Sequence, residues 1–153
     1  MILINNKKVY IIAEIGVNHN GSLTRAKKMI KACKVVGADA VKFQTYKAIN
    51  VADTLVSKAE YQKKDNKKDS QYEMLKKYEL NDKDFIILHE YAKELNIDFI
   101  STAVDTISLR FLISKLKLKT IKIGSSDLTN IQLLLKAGRT KKNIIISCGL
   151  ANI

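Results

Sequence analysis

The sequence predicts an α/β protein on a parallel sheet: a partial (β/α)8 TIM barrel comprising about its first five strands with their helices. Three observations lead there. Short β-rich runs alternate with segments of helical apolar spacing along the 153 residues. Ionisable and amide side chains fall on one face of several runs, which suits a barrel interior rather than a sheet covered by helices on both sides. The composition, 46% apolar and 27% charged, is that of a chain with a real hydrophobic core.

The β-rich runs are Val9–Ile15, Ala40–Thr45, Phe99–Ala103, Thr120–Ile123 and Asn143–Ser147. Helical spacing covers Leu23–Val36, Tyr72–Tyr78, Asp84–Leu95, Ile107–Leu116 and Ile131–Ala137. Gly16 and Gly21 bracket the first strand-to-helix turn, and Ser22 is placed to cap the helix that follows. Asn81 is the corresponding cap before Phe85, Leu88 and Ala92. Gly37 and Gly138 stand where helix C-caps are expected. The mixed-charge stretch Lys58–Asp69 has no apolar period and reads as a long solvated loop of the length that often serves as a lid. Tyr72 and Met74 sit at helical spacing and read as packing residues.

Size alone would suit an open doubly wound sheet. The strand faces decide against it. Lys42 and Gln44 share one face of the second strand, opposite Val41 and Phe43, and Lys122 stands opposite Ile121 and Ile123. Glu14 opposes Ala13 and Ile15 on the first strand. Buried against a helix layer, such groups would be costly without partners; at the carboxyl ends of barrel strands they are where chemistry sits.

Composition narrows the function classes. Cys33 and Cys148 lie far apart and form no C-x-x-C pattern, which argues against a disulfide scaffold or a cysteine zinc site. No apolar run approaches the roughly 18 residues of a membrane span, and the apolar stretch Val9–Ile15 is short and interrupted by Glu14, so a cytoplasmic location is expected. The formal charge of +12 attracts phosphate in any form, but the 27 basic residues are spread over every helix and not interleaved with aromatics. Nucleic acid is therefore a disfavoured partner. Proline is absent, where average usage of about 5% would give roughly seven or eight.

The inward set is Glu14, Lys42, Gln44, Thr102, Lys122, Ser125 and Ser147, all at or just past the carboxyl ends of successive strands. Two lysines and several hydroxyls converging there describe a site for phosphate or carboxylate. One such lysine would more simply be a side chain snorkelling at a strand end. Two on different strands, with a carboxylate beside them to move a proton or orient a hydroxyl, point to function. His19, alone after a strand, reads as a hydrogen-bonded structural residue.

Seven segments then resemble the sialic acid synthase family in order: Ala13-Glu14-Ile15-Gly16-Val17-Asn18-His19-Asn20-Gly21-Ser22, Gly37-Ala38-Asp39-Ala40-Val41-Lys42-Phe43-Gln44-Thr45, Lys58-Ala59-Glu60-Tyr61-Gln62, Ser70-Gln71-Tyr72-Glu73-Met74, Ser101-Thr102, Lys122-Ile123-Gly124-Ser125 and Ser147-Cys148-Gly149-Leu150. The family condenses phosphoenolpyruvate with N-acetylmannosamine or a related N-acylated sugar to a nine-carbon 2-keto acid. The resemblance implies that Lys42, Thr102, Lys122, Ser125 and Ser147 hold phosphoenolpyruvate, that Glu14 is the catalytic carboxylate, and that Gln44, Asn66 and Asp127 contact the sugar. N-acetylmannosamine and the 2,4-diacetamido sugar of legionaminic acid both fit the motifs.

The chain departs from the family pattern in three places. Ser101-Thr102-Ala103-Val104-Asp105 stands for S-T-P-F-D, so a rigid turn after the third strand is expected to be lost. Ser125-Ser126-Asp127 replaces S-G-E with a shorter carboxylate, and Ser147-Cys148-Gly149-Leu150 replaces S-T-G-M. The resemblance also implies three further barrel strands, a carboxyl-terminal antifreeze-like domain and a divalent metal (Mn or Mg) held by two histidines, all beyond Ile153. Full-length members are implied to be homodimers. The expectation is a shortened piece or an interrupted gene product, inactive by itself and self-associating. The alternatives are a non-catalytic remnant that still binds anions, and a small basic nucleic-acid-binding domain.

Overall fold

Beginning with the elements, the computed structural model describes residues 9–52 and 70–149, so the stretch Lys58–Asp69 and Asn66 within it lie outside the described residues. Strands β1 (Ile12–Gly16), β2 (Ala40–Thr45), β3 (Asp98–Ala103), β4 (Thr120–Ile123) and β5 (Asn143–Ile146) alternate with helices α1 (Leu23–Val35), α3 (Gln71–Tyr78), α4 (Asp82–Glu94), α5 (Thr106–Ser114) and α6 (Ile131–Arg139). A four-residue helix α2 (Ala48–Val51) and a 3-10 turn (Ser125–Asp127) add to this scheme.

Local chemistry sets the boundaries. The Ser22 hydroxyl accepts from the Arg25 N–H to start α1, and Gly37 follows its end at φ +88°. Ser70 with Glu73, and Asn81 with Asp84, form capping boxes for α3 and α4, so α4 begins two residues before the predicted Asp84. Strand β1 begins at Ile12 and not at Val9: its neighbour β2 starts at Ala40, which pairs with Ile12, leaving Val9 to Ile11 without a ladder. Gly138 is no C-cap either. It lies inside α6, and the left-handed residue beyond the helix is Lys141, at φ +56°. Helix α5 stops at Ser114, short of the predicted Leu116, and the left-handed residue Lys117 follows.

All five strands pair in parallel in the order β1-β2-β3-β4-β5. A doubly wound sheet reverses its winding at a switch point, and this sheet has none. Right-handed crossovers advancing in one direction keep the helices on one face. That face is the core: Val41, Phe43, Phe99, Ile121 and Ile123 are buried there with Phe85, Leu88 and Leu112 from the helices. Phe43 stacks on Phe99 with ring centroids 5.0 Å apart, and Phe85 meets both Phe43 and Phe111 edge-on. Thr45 and Ser101, also on this face, satisfy each other through a buried hydroxyl pair at 2.7 Å. The opposite face carries the predicted site. No helix among the described residues is long and apolar enough to cross a membrane.

Candidate anion and active site

Register explains why the inward side chains meet. Glu14 lies opposite Lys42, and one step further along the same face Gln44 lies opposite Thr102 and Thr102 opposite Lys122, so two neighbouring rows of polar groups together span four adjacent strands. Glu14 and Lys42 form an ion pair in which the lysine is mostly shielded and the carboxylate about half exposed. The Lys42 ammonium also reaches Thr102 Oγ1 at 3.5 Å. Lys122 donates to Ser147 Oγ at 2.5 Å and to the Ile123 carbonyl. Ser147 sits one residue past the end of β5, which places its hydroxyl beside the ammonium from β4.

Electrostatics joins these two clusters. Burial pushes the Lys122 ammonium below the ordinary lysine value, the charge of Lys42 pushes it further, and Glu14 and Asp127 oppose both. Asp127 is raised by burial, against the pull of its Ser126 hydrogen bond and of Lys122. The shorter carboxylate thus still acts on Lys122, and its Oδ2 would lie 3.2 Å from a Cβ added at Gly124. Ser125 opens the same 3-10 turn, at the same end of the sheet.

Gln44 and Glu14 close over Gly16. The ladder is irregular between Glu14 and Gly16, and Gly16 adopts φ +55°. A Cβ there would press to 3.2 Å from Glu14 Oε1 and 3.6 Å from Gln44 Nε2, so glycine serves both the backbone and the close approach. Of the predicted set, Glu14, Lys42, Gln44, Thr102, Lys122, Ser125, Asp127 and Ser147 therefore gather at one end of the sheet.

Sequence reasoning missed Asp105. Its Oδ1 accepts from the Ile107 and Ser108 N–H groups at 2.8 Å, and its Oδ2 takes the Ser108 hydroxyl at 2.8 Å and the Lys47 N–H at 3.4 Å. The turn after β3, expected to be loose without proline, is fixed by this carboxylate, which also ties it to the loop after β2. An aspartate just before a helical run was the available signal.

A metal does not fit what is described. Among the described residues no group of three or more His, Cys, Asp or Glu could hold an ion. His19 spends Nδ1 on the Gly21 N–H, and His89, on α4, packs against Phe99 of β3.

A family model described as the NeuB family matches residues 29–153. The chain belongs to the NeuB family. Its sequence is 48% identical over 145 residues to the N,N'-diacetyllegionaminic acid synthase of Legionella pneumophila, covering 94% of this chain and 40% of that protein. It is 47% identical over 148 residues to the enzyme of the same name from Campylobacter jejuni, covering 96% of this chain and 44% of the relative. Among solved structures, the N-acetylneuraminic acid synthetase of Leptospira borgpetersenii superposes with a TM-score of 0.79 at 33% identity, covering 96% of this chain and 47% of that one. The sheet is accordingly a five-strand part of a NeuB-family TIM barrel, and the chain spans about 40% of the length of these curated relatives.

Proposed function

We propose that the chain carries the phosphoenolpyruvate-binding part of a sialic acid-type synthase. The observation behind this reading is the convergence of Lys42 and Lys122, with Thr102 and Ser147 as their hydrogen-bonding neighbours, on the open face of one sheet. Two ammonium groups that repel each other gain from a shared multivalent anion, and phosphoenolpyruvate offers a phosphate and a carboxylate. Thr102, Ser125 and Ser147 supply hydroxyl donors around it. Gln44 and Asp127 stand at the same end, placed to receive the polar groups of an N-acylated mannose-type sugar.

In the condensation, C3 of phosphoenolpyruvate forms a bond to the sugar aldehyde carbon. Water adds at C2, and the C2–O bond to phosphate breaks to release inorganic phosphate. Glu14, ion-paired with Lys42, is the carboxylate in reach to handle a proton. Lys42 and Lys122 hold the negative charge of the departing phosphate. The described residues offer no place for the divalent metal, so no step here is assigned to one. A phosphoenolpyruvate-dependent synthase belongs in the cytoplasm.

Titration calorimetry with phosphoenolpyruvate tests the reading. Binding lost in both Lys42→Met and Lys122→Met supports it. Equal binding in wild type and variants, or retention on DNA that vanishes with salt while phosphoenolpyruvate does not bind, would reject it.

A further inference from the structure

We infer that His19 is a positioning residue for the Glu14–Lys42 pair, acting as a neutral imidazole that locks the turn between β1 and α1. The inference rests on the anion-site reading above for its consequence, and on the turn itself for its geometry. The turn runs between two left-handed glycines, Gly16 at φ +55° and Gly21 at φ +71°. The Gly21 N–H donates to His19 Nδ1 at 3.1 Å, which fixes the proton of the neutral ring on Nε2. At the other end of the turn the Gly16 carbonyl acts on the ring, although Nε2 makes no hydrogen bond of normal geometry. The imidazole thus pins the Gly21 end of the turn directly and packs on Phe43, the β2 residue that pairs with Gly16.

The ring is sealed. His19 is 1% exposed and packs on Phe43 with centroids 5.9 Å apart. Among the described residues no ionised side chain compensates a charge there. Within the turn Asn18 and Asn20 are neutral, and β2 presents Phe43. The end of α3 approaches Gly21 through the Lys77 carbonyl and Tyr78 backbone. Glu14 of β1 and Arg25 of α1 are solvent-exposed. Burial pushes the imidazole below its usual value, with the Gly16 carbonyl opposing.

Protonation would put a second N–H on Nδ1, facing the Gly21 N–H, with an unpaired charge in a site closed to water. The turn must then open, and at its Gly16 end the Glu14 carboxylate and the Gln44 amide lie where a Cβ on that glycine would approach them to 3.2 and 3.6 Å. Acid therefore loosens the partner of Lys42. The sign follows from a folded value below the ordinary 6.5: the stabilisation is complete above about 6.5 and is lost as the pH falls through the lowered folded value.

Two variants of the 153-residue chain separate the possibilities. His19→Asn keeps an oxygen acceptor for the Gly21 N–H and cannot titrate, whereas His19→Phe fills the space without an acceptor. Long-range proton–nitrogen NMR should report the Nε2–H tautomer at neutral pH. The Glu14 carboxylate carbon should show an inflection at the His19 titration that is absent in His19→Asn. His19→Asn should bind phosphoenolpyruvate within about twofold of wild type at neutral pH, and the acid weakening of wild type relative to this variant should be about tenfold. His19→Phe should lose about tenfold at every pH. An Nδ1–H tautomer, an inflection that persists in His19→Asn, or wild-type binding by His19→Phe would overturn the inference. Should His19→Phe not fold, the tautomer and the Glu14 inflection decide. If wild type binds no phosphoenolpyruvate, the function proposed above falls, while the Glu14 signal still settles the role of His19.

Discussion

The Lys42 ammonium reaches Thr102 Oγ1 at 3.5 Å while Lys122 lies opposite Thr102 in the β3–β4 ladder, and the charge of Lys42 makes the charge of Lys122 more costly. A binding anion relieves that repulsion, which couples affinity to the protonation of Lys122. Phosphoenolpyruvate affinity should fall as the pH rises through the lowered Lys122 value, earlier than for an ordinary lysine near 10.5. Lys122→Arg stays charged and should remove this alkaline limb, measured by calorimetry between about pH 7 and 10.

Glu14→Gln removes the carboxylate that pairs with Lys42. Because the pair is half-exposed on the Glu14 side, its loss should change folding stability by only about 0–1 kcal/mol. Without its partner the Lys42 ammonium is no longer held in place, so phosphoenolpyruvate binding should weaken by about tenfold, while turnover in a full-length synthase carrying the same change is abolished. Equal loss of binding and rate would assign Glu14 to holding the ligand site together.

Gly21 and Gly37 both have positive φ, yet they should respond differently to alanine. At Gly37 a Cβ meets nothing within 4 Å, so the cost is conformational, about 1 kcal/mol. At Gly21 the Cβ would come within 2.5 Å of the Lys77 carbonyl, a backbone atom that cannot swing aside. Gly21→Ala should therefore cost several kcal/mol more. Denaturant unfolding of the two variants compares them directly.

The polypeptide of residues 1–153, purified alone, should self-associate and yield no condensation product. Ile131, Leu135 and Ile146 are exposed on α6 and on the outer strand β5, which among the described residues is paired along one edge alone. Sedimentation velocity should show larger species that shrink in the Leu135→Lys, Ile146→Lys double variant. Metal-dependent consumption of phosphoenolpyruvate by this polypeptide with an N-acylated mannose would refute the prediction.

Strand alternation made the site legible: once Phe43 and Ile121 were assigned to the core, Lys42 and Lys122 had to face away from it. The strand boundaries at Ala40–Thr45 and Thr120–Ile123 came out as read, because turn residues and helix caps punctuate them. Val9–Ile11 misled, because β propensity says nothing about whether a neighbouring strand extends far enough to pair. Gly138 misled because left-handed caps favour glycine without requiring it, and here Lys141 adopts that conformation. Asp105 joins loops from different strands, and His19 owes its role to burial under Phe43; both depend on tertiary contacts that no local spacing records.

The uninterrupted order of the sheet also bears on how the molecule is made. As each strand leaves the ribosome, its one earlier neighbour is already present, and no pairing waits for a distant stretch of chain. Three of the four closures span a single strand–helix unit, and the longer β2–β3 closure, with α2, α3 and α4 between, adds an entropic toll that grows only slowly with length. Growth of this kind proceeds like a zipper with one live end. At every stage the newest strand presents an open template, and at β5 that template is aligned to receive another parallel strand.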